Sequence, residues 1–317
     1  MAYPIEKKLV IGIASSALFD LTESDEVFQR DGEEAYRKYQ EDHLEDVLQK
    51  GVAFPFIRRF LNLNRYFLDL QPAEVVLLSR NSPETGLRVF RSIEHYGLNI
   101  TRAAFFSGTS PFMYNDAFNL SLFLSANKND VKRALDVGFP AGLVLKTRID
   151  DDENDEELRL AFDFDGVIAD DEAEKVYQQD GLDAFSQRES TLRLQPHQDG
   201  PLANLFRRIA FYQQLQEAAR KENPELPKLM KIAILTARNA PAHERMISTL
   251  KSWNISVDEA FFLGGIEKQR VLEVMRPHMY FDDQTIHLHQ IDNIPMVHIP
   301  FGIANQEDNR SNREQKA

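Results

Sequence analysis

LRLAFDFDGVI, residues 158–168, is the stretch on which the fold turns. The apolar run Leu160-Ala161-Phe162 stops abruptly at Asp163-Phe164-Asp165-Gly166. A short apolar run with a sharp polar end reads as a buried strand. Gly166 lets the backbone turn at the strand's end. In an open α/β sheet, ligands bind outside the carboxyl ends of the strands, so Asp163 and Asp165 stand where chemistry is usually done. With 50 acidic residues among 317, an Asp-x-Asp pair alone is unremarkable. Its weight comes from three further strand-end signals that follow in order.

Outward from this stretch, strands and helices alternate. Before it, strand-like runs open residues 8–20 and recur at Glu74–Leu78, Ala103–Phe106, 121–125 and 141–145. Helical spacing covers 25–50, Gly51–Leu70, 84–96 and 128–137. After it, 171–230 reads as mostly helical, with loops at Gln195–Pro201 and Asn223–Pro227. Further strands are expected at Lys231–Leu235, Glu259–Leu263, Met279–Phe281 and Met296–Ile299, with a helix at 242–252. This alternation predicts an α/β fold with a mainly parallel sheet flanked by helices. The run DDDENDEE at 150–157 holds no apolar residue and reads as a solvated linker. The expected division is therefore a lobe at 1–149, a linker at 150–157, a second lobe at 158–304 and a disordered tail at 305–317.

The two halves echo one another. VFQRDGEEAY (27–36) matches VYQQDGLDAF (176–185), LLSRNSP (77–83) matches ILTARNAP (234–241), and AAFFSG (103–108) matches EAFFLGG (259–265). Such self-similarity suggests duplication. In this alignment Asp163 and Asp165 fall on Ala14 and Ser16, and Thr236 falls on Ser79. Lys268 falls near Pro111, and Asp282-Asp283 near Ser125-Ala126. The first half has lost every charged candidate and should not catalyse.

Composition narrows the function. A net charge of −13 argues against nucleic-acid or anionic-membrane partners, while a bound cation would still admit a phosphorylated substrate. There is no cysteine, which excludes disulfides, thiolate catalysis and Cys-type zinc sites. His287 and His289 are too few for a zinc site without a third partner. The start, MAYPIEKK, lacks the apolar core of a signal peptide, and a soluble cytoplasmic protein is the expectation. A homo-oligomer is compatible with the sequence, which does not fix the oligomeric state.

Asp163/Asp165, Thr236, Lys268 and Asp282/Asp283, each after an apolar strand, resemble the four motifs of the haloacid dehalogenase superfamily. The resemblance narrows to the cytosolic 5′-nucleotidase type I family over residues 8–303. It is carried by SSALFDL (15–21), GVAFPF (51–56), HYGLNITRAAF (95–105), SGTSPF (107–112), LFLSA (122–126), LTARNA (235–240), RPHMYFDDQ (276–284) and VHIPFG (297–302). The first motif departs from the family's usual form by having Phe164 and Gly166 where Gly and Ala are common.

The resemblance implies a Rossmann-like catalytic lobe, a degenerate N-terminal lobe of the same kind, and a Mg²⁺-dependent 5′-nucleotidase. By the same resemblance Asp163 is the nucleophile, Asp165 the general acid/base, Thr236 a donor to the phosphoryl group, and Lys268 its counter-charge. Asp282 and Asp283, with Asp163 and the Asp165 carbonyl, would hold Mg²⁺. Gly166, Ala237, Ser110 and Phe112 are candidate substrate contacts, with Phe56 a weaker one. For Phe56 and Phe112 the core is the more ordinary place, and for Arg238 the surface. The alternatives are a phosphatase of another small phosphomonoester and an inactive nucleotide-binding protein.

Overall fold

The computed structural model describes residues 4–288 and 291–305; His289 and the tail beyond residue 305 lie outside them. The chain divides after Lys146 into two compact units.

In unit 1 the strands are β1 (Leu9–Ile13), β2 (Phe19–Asp20), β3 (Gln49–Lys50), β4 (Ala73–Ser79), β5 (Arg102–Phe105), β6 (Leu122–Ser125) and β7 (Ala141–Val144). Its helices are α1 (Ser15–Leu18), α2 (Thr22–Asp42), α3 (Phe54–Tyr66), α4 (Leu87–His95) and α5 (Lys128–Asp136). Unit 2 holds β8 (Leu158–Phe162), α6 (Glu172–Thr191), α7 (Ala203–Glu222), β9 (Met230–Thr236), α8 (His243–Ser252), β10 (Glu259–Phe262), α9 (Lys268–Met275), β11 (Met279–Asp282) and β12 (Met296–His298).

Unit 1 orders its sheet β7-β6-β1-β4-β5, and unit 2 orders its own β12-β11-β8-β9-β10. The strand pairings within these two orders are parallel. Taking each unit's strands in chain order, the two arrangements are the same. The registers match as well. Ile13 pairs with Leu77 and Leu124, and Phe162 pairs with Ile234 and Phe281. These are the residues that the sequence echo aligns. The central strands β1, β4, β6 and β11 are buried along their whole length, whereas β5 and β10 at the edges are half-buried. That is why the central strands read as continuous apolar runs rather than alternations. Helix α3 packs on β4, α5 on β6 and β7, and α7 on β9.

The echoed helices α2 and α6 share a break. Gly32 has φ +83° and ψ −174°, and Gly181 has φ +83° and ψ −178°. Only glycine adopts this region readily, so each helix is two segments hinged at one residue.

Several expectations need correction. The helix expected over 25–50 ends at Asp42, and Gln49–Lys50 pairs antiparallel with Phe19–Asp20. The acidic run at 150–157 is not wholly solvated. Asp155 lies 2.6 Å from Arg159 and 3.7 Å from His278, so the arginine of β8 and this histidine hold its carboxylate against unit 2. Asn305, assigned to the tail, is the last residue of a 3₁₀ turn, and its Nδ2 donates to the Asp283 carbonyl at 3.0 Å. Helix α9 carries no periodic signal long enough to be seen in the sequence.

Candidate functional site

The site lies at the carboxyl ends of β8, β9 and β11. Strand β8 is central, with β9 on one side and β11 on the other, so three of the four motifs become neighbours by strand order alone. Asp163 continues β8, its N–H donating to the Phe281 carbonyl at 2.8 Å. The register then sets Asp282 beside Asp163. Lys268 comes from the first residue of α9 and closes the group. Its Nζ lies 2.8 Å from Asp163 Oδ2 and 2.7 Å from Asp282 Oδ2. Thr236 ends β9 and is buried, its hydroxyl accepting the Arg238 N–H at 3.2 Å. Ala237, next to it, is exposed at the rim.

Burial makes these charges interdependent. It pushes the Asp163 carboxyl up to about 7, with the charges of Asp282 and Asp165 adding to the rise and Lys268 opposing it. Burial also lowers the proton affinity of Lys268, but the Asp163 and Asp282 carboxylates overcome this and hold it well above the usual ammonium range. Asp282 is held far below the carboxylate range. Its burial is outweighed by Lys268 and by His287, whose Nδ1 is 3.2 Å away. Lys268 is thus buried between two carboxylates, where the sequence expects a counter-charge.

The two adjacent aspartates differ in kind. Both oxygens of Asp282 are engaged, by Lys268 Nζ, the Tyr280 hydroxyl, the Gln284 N–H and His287. Asp283 Oδ1 is buried without a hydrogen-bond partner. Burial, then the charges of Asp163 and Asp282, push the Asp283 carboxyl well above its usual range. An orphaned buried carboxylate oxygen is costly and asks for a cation or a proton. Among the described residues, Asp163, Asp282 and His287 offer donor atoms within 4.8 Å of one another. Because the Asp282 oxygens are already engaged, Asp163 and Asp283 fit a cation better. Four carboxylates (Asp163, Asp165, Asp282, Asp283) face two cationic side chains (Lys268, Arg238) here, a deficit that a hard divalent ion would fill with oxygen ligands.

Gly166 is fixed by two constraints. Its φ is +72°, and a Cβ there would lie 2.4 Å from Asp283 Oδ2. The loop after the first motif therefore presses its backbone against the carboxylate best suited to a cation.

Arg238 is not on the surface. It is 3% exposed, its Nε and Nη2 donate to Asp165 Oδ2 and Oδ1 at 2.8 and 2.6 Å, and its Nη1 reaches Glu189. The Phe164 and Phe185 rings lie 5.5 and 5.4 Å from its Cζ. Sequence reasoning missed this pair, and missed Tyr280 and Glu189. Phe112 and Ser110 belong to unit 1. Phe112 packs half-buried on that unit's core, Ser110 Oγ donates to Asp130 at 2.5 Å, and Phe56 is buried beside Phe60.

The whole arrangement can be compared with known proteins. The model of the family described as 5′-nucleotidase matches residues 1–306. The chain belongs to the 5′-nucleotidase family. Among its relatives is human cytosolic 5′-nucleotidase 1B, 31% identical over 286 residues, which covers 88% of this chain and 46% of that protein. The chain thus spans about half the length of that relative. No solved structure matches. The family match takes in both units, although the cluster of carboxylates and lysine lies in unit 2 alone. Among the described residues no helix is long and apolar enough to cross a membrane.

Proposed function

We propose that this chain is a Mg²⁺-dependent 5′-nucleotidase of the cytoplasm, hydrolysing nucleoside 5′-monophosphates to nucleoside and phosphate. The observation that carries the reading is Lys268 set between Asp163 and Asp282, at the carboxyl ends of the strands that Thr236 ends and that Asp165 and Asp283 follow. Family membership and the name of the human relative, a cytosolic 5′-nucleotidase, support the substrate class and the compartment.

Phosphate monoester hydrolysis must bring a nucleophile to a dianion that repels it. A Mg²⁺ ion held by Asp163, Asp283 and the Asp165 carbonyl would offset that repulsion and orient the phosphate. Lys268 and the Thr236 hydroxyl hold the phosphoryl oxygens as charge develops. An Asp163 oxygen attacks phosphorus, the bond to the 5′-oxygen breaks, and the Asp165 carboxyl proton passes to that oxygen. The Asp165 carboxylate then takes a proton from water. The water oxygen attacks phosphorus, the bond to Asp163 breaks, and phosphate leaves. Asp282 steers Lys268. Unit 1 has a binding rather than a catalytic role, with Ser110 and Phe112 as its candidate substrate contacts, since Ala14, Ser16, Ser79 and Ser125 stand at its strand ends.

The test is phosphate release with Mg²⁺ from AMP, IMP, CMP, deoxynucleotides and sugar phosphates. Preferred turnover of nucleoside 5′-monophosphates is expected. Preference for a sugar phosphate, or no turnover of any, would overturn the reading.

A further inference from the structure

The chain contains its own control for the surroundings of Asp165. In unit 2, Arg245 Nε donates to the Gln195 carbonyl at 3.0 Å, the Thr249 hydroxyl donates to the Arg245 carbonyl at 2.8 Å, and the His197 N–H donates to Thr249 Oγ1 at 3.0 Å. In unit 1 the same three bonds recur. Arg88 Nε donates to the Asp46 carbonyl at 2.8 Å, Ser92 Oγ to the Arg88 carbonyl at 3.0 Å, and the Leu48 N–H to Ser92 Oγ at 3.0 Å. The turn after the second strand repeats too. The Asn81 N–H donates to Ser79 Oγ at 3.1 Å, as the Arg238 N–H does to Thr236 at 3.2 Å. With the matched glycine breaks in α2 and α6, this is one scaffold built twice.

What differs is a buried chain of charge. Unit 2 has Asp165, Arg238 and Glu189 where unit 1 has Ser16, Asn81 and Gln40. Glu189 is 1% exposed and accepts from Arg238 and, at 2.7 Å, from Arg245, with His197 Nε2 3.2 Å away. Gln40 is equally buried beside Arg88. The scaffold therefore forms without Arg238 and Glu189, and these two occur only where a carboxylate stands at the Asp165 position. Burying such a pair gains little stability over neutral packing, so its presence calls for another use.

We infer that Arg238 and Glu189 are positioning residues for proton transfer by Asp165. The planar guanidinium fork meets both Asp165 oxygens and so fixes the carboxyl plane. Glu189 and the two aromatic rings in turn fix the fork. One edge of Asp165 is thereby held, and the side chain keeps its 20% exposure for the leaving oxygen. This inference rests on the proposed nucleotidase reading.

The test is the double variant Arg238→Asn/Glu189→Gln, which copies unit 1 into unit 2. It is assayed on AMP and on p-nitrophenyl phosphate with Mg²⁺. The nucleoside alkoxide needs a proton to leave, whereas p-nitrophenolate does not. The value of kcat/KM counts only steps up to departure of that first product. On AMP it should fall about 10- to 100-fold, a large part of what a general acid supplies, and on p-nitrophenyl phosphate by no more than about threefold. Glu189→Gln alone, which unit 1 already accommodates, should show the same substrate bias in weaker form, and it decides the matter if the double variant does not fold. Equal losses on both substrates would mark the network as purely structural and overturn the inference, as would no loss on AMP. Failure of the parent protein to turn over either substrate would instead overturn the nucleotidase reading on which it stands.

Discussion

The Lys268 ammonium lies 2.8 Å from Asp163 Oδ2, both groups buried. Removing the ammonium leaves Asp163 and Asp282 side by side without their shared counter-charge. Breaking one partner out of a buried ion pair costs about 3–5 kcal/mol. Lys268→Met should therefore lower the melting temperature by several degrees and cut turnover by about a hundredfold or more, the loss typical of a lost electrostatic donor. Thermal unfolding and steady-state assay check the two parts.

Asp282 and Asp283 should separate experimentally. Asp283 has the orphaned oxygen, whereas Asp282 is saturated by protein donors. Asp283→Asn should raise the Mg²⁺ concentration needed for half-maximal activity by about tenfold or more, since even residues that only support ligands are worth 10- to 100-fold. Asp282→Asn should chiefly destabilise the fold and misplace Lys268. Mg²⁺ titrations of activity, beside melting curves, discriminate the two. Equal Mg²⁺ dependence in both variants would contradict the division of labour.

Gly166→Ala should fail at the same place by another route. The added methyl meets Asp283 Oδ2, and its backbone sits at φ +72°, where an L side chain is strained by about 1 kcal/mol or more. Loss of Mg²⁺ affinity with retained secondary structure is the expected result, read by cation titration and circular dichroism.

The raised carboxyl of Asp163 makes a pH prediction with a definite sign. Its folded value of about 7 lies above its ordinary value of 3.8, so the folded state holds a proton that the unfolded state has released. That contribution is full below about pH 4 and is lost as pH rises through about 7. Asp283, also raised, acts in the same direction, and the depressed Asp282 loses its contribution only in strong acid. In chelator the melting temperature should fall between pH 5 and pH 8. Mg²⁺ should stabilise by about 2.7 kcal/mol at a hundredfold excess over its Kd at pH 8, and by less at pH 5 at the same concentration. A larger Mg²⁺ effect at the acid end would refute this.

Much of this site is legible in the linear chain because three of the four motifs follow directly on an apolar strand. Asp163, Thr236 and Asp282 are marked by an abrupt change from buried to polar, and parallel strand order does the rest. The role of Arg238 is invisible there. Its partners Asp165 and Glu189 lie 73 and 49 residues away, and nothing local distinguishes a buried arginine from a surface one. Tyr280 reads as ordinary strand core, and only the fold brings its hydroxyl to Asp282. The sequence also treats Asp282 and Asp283 as a pair, whereas their different neighbours separate them. The internal echo is the converse case. It is faint in sequence, yet the strand order, the registers and the two glycine breaks repeat residue for residue.

The most direct test of the whole account is a rapid-quench experiment with a nucleoside 5′-monophosphate carrying labelled phosphate, in Mg²⁺, on the parent protein and Asp163→Asn. Label should appear transiently on the parent protein at Asp163, and the variant should carry none and turn over about a thousandfold more slowly or worse. Undiminished turnover by the variant, with no label ever bound to the parent protein, would contradict the account.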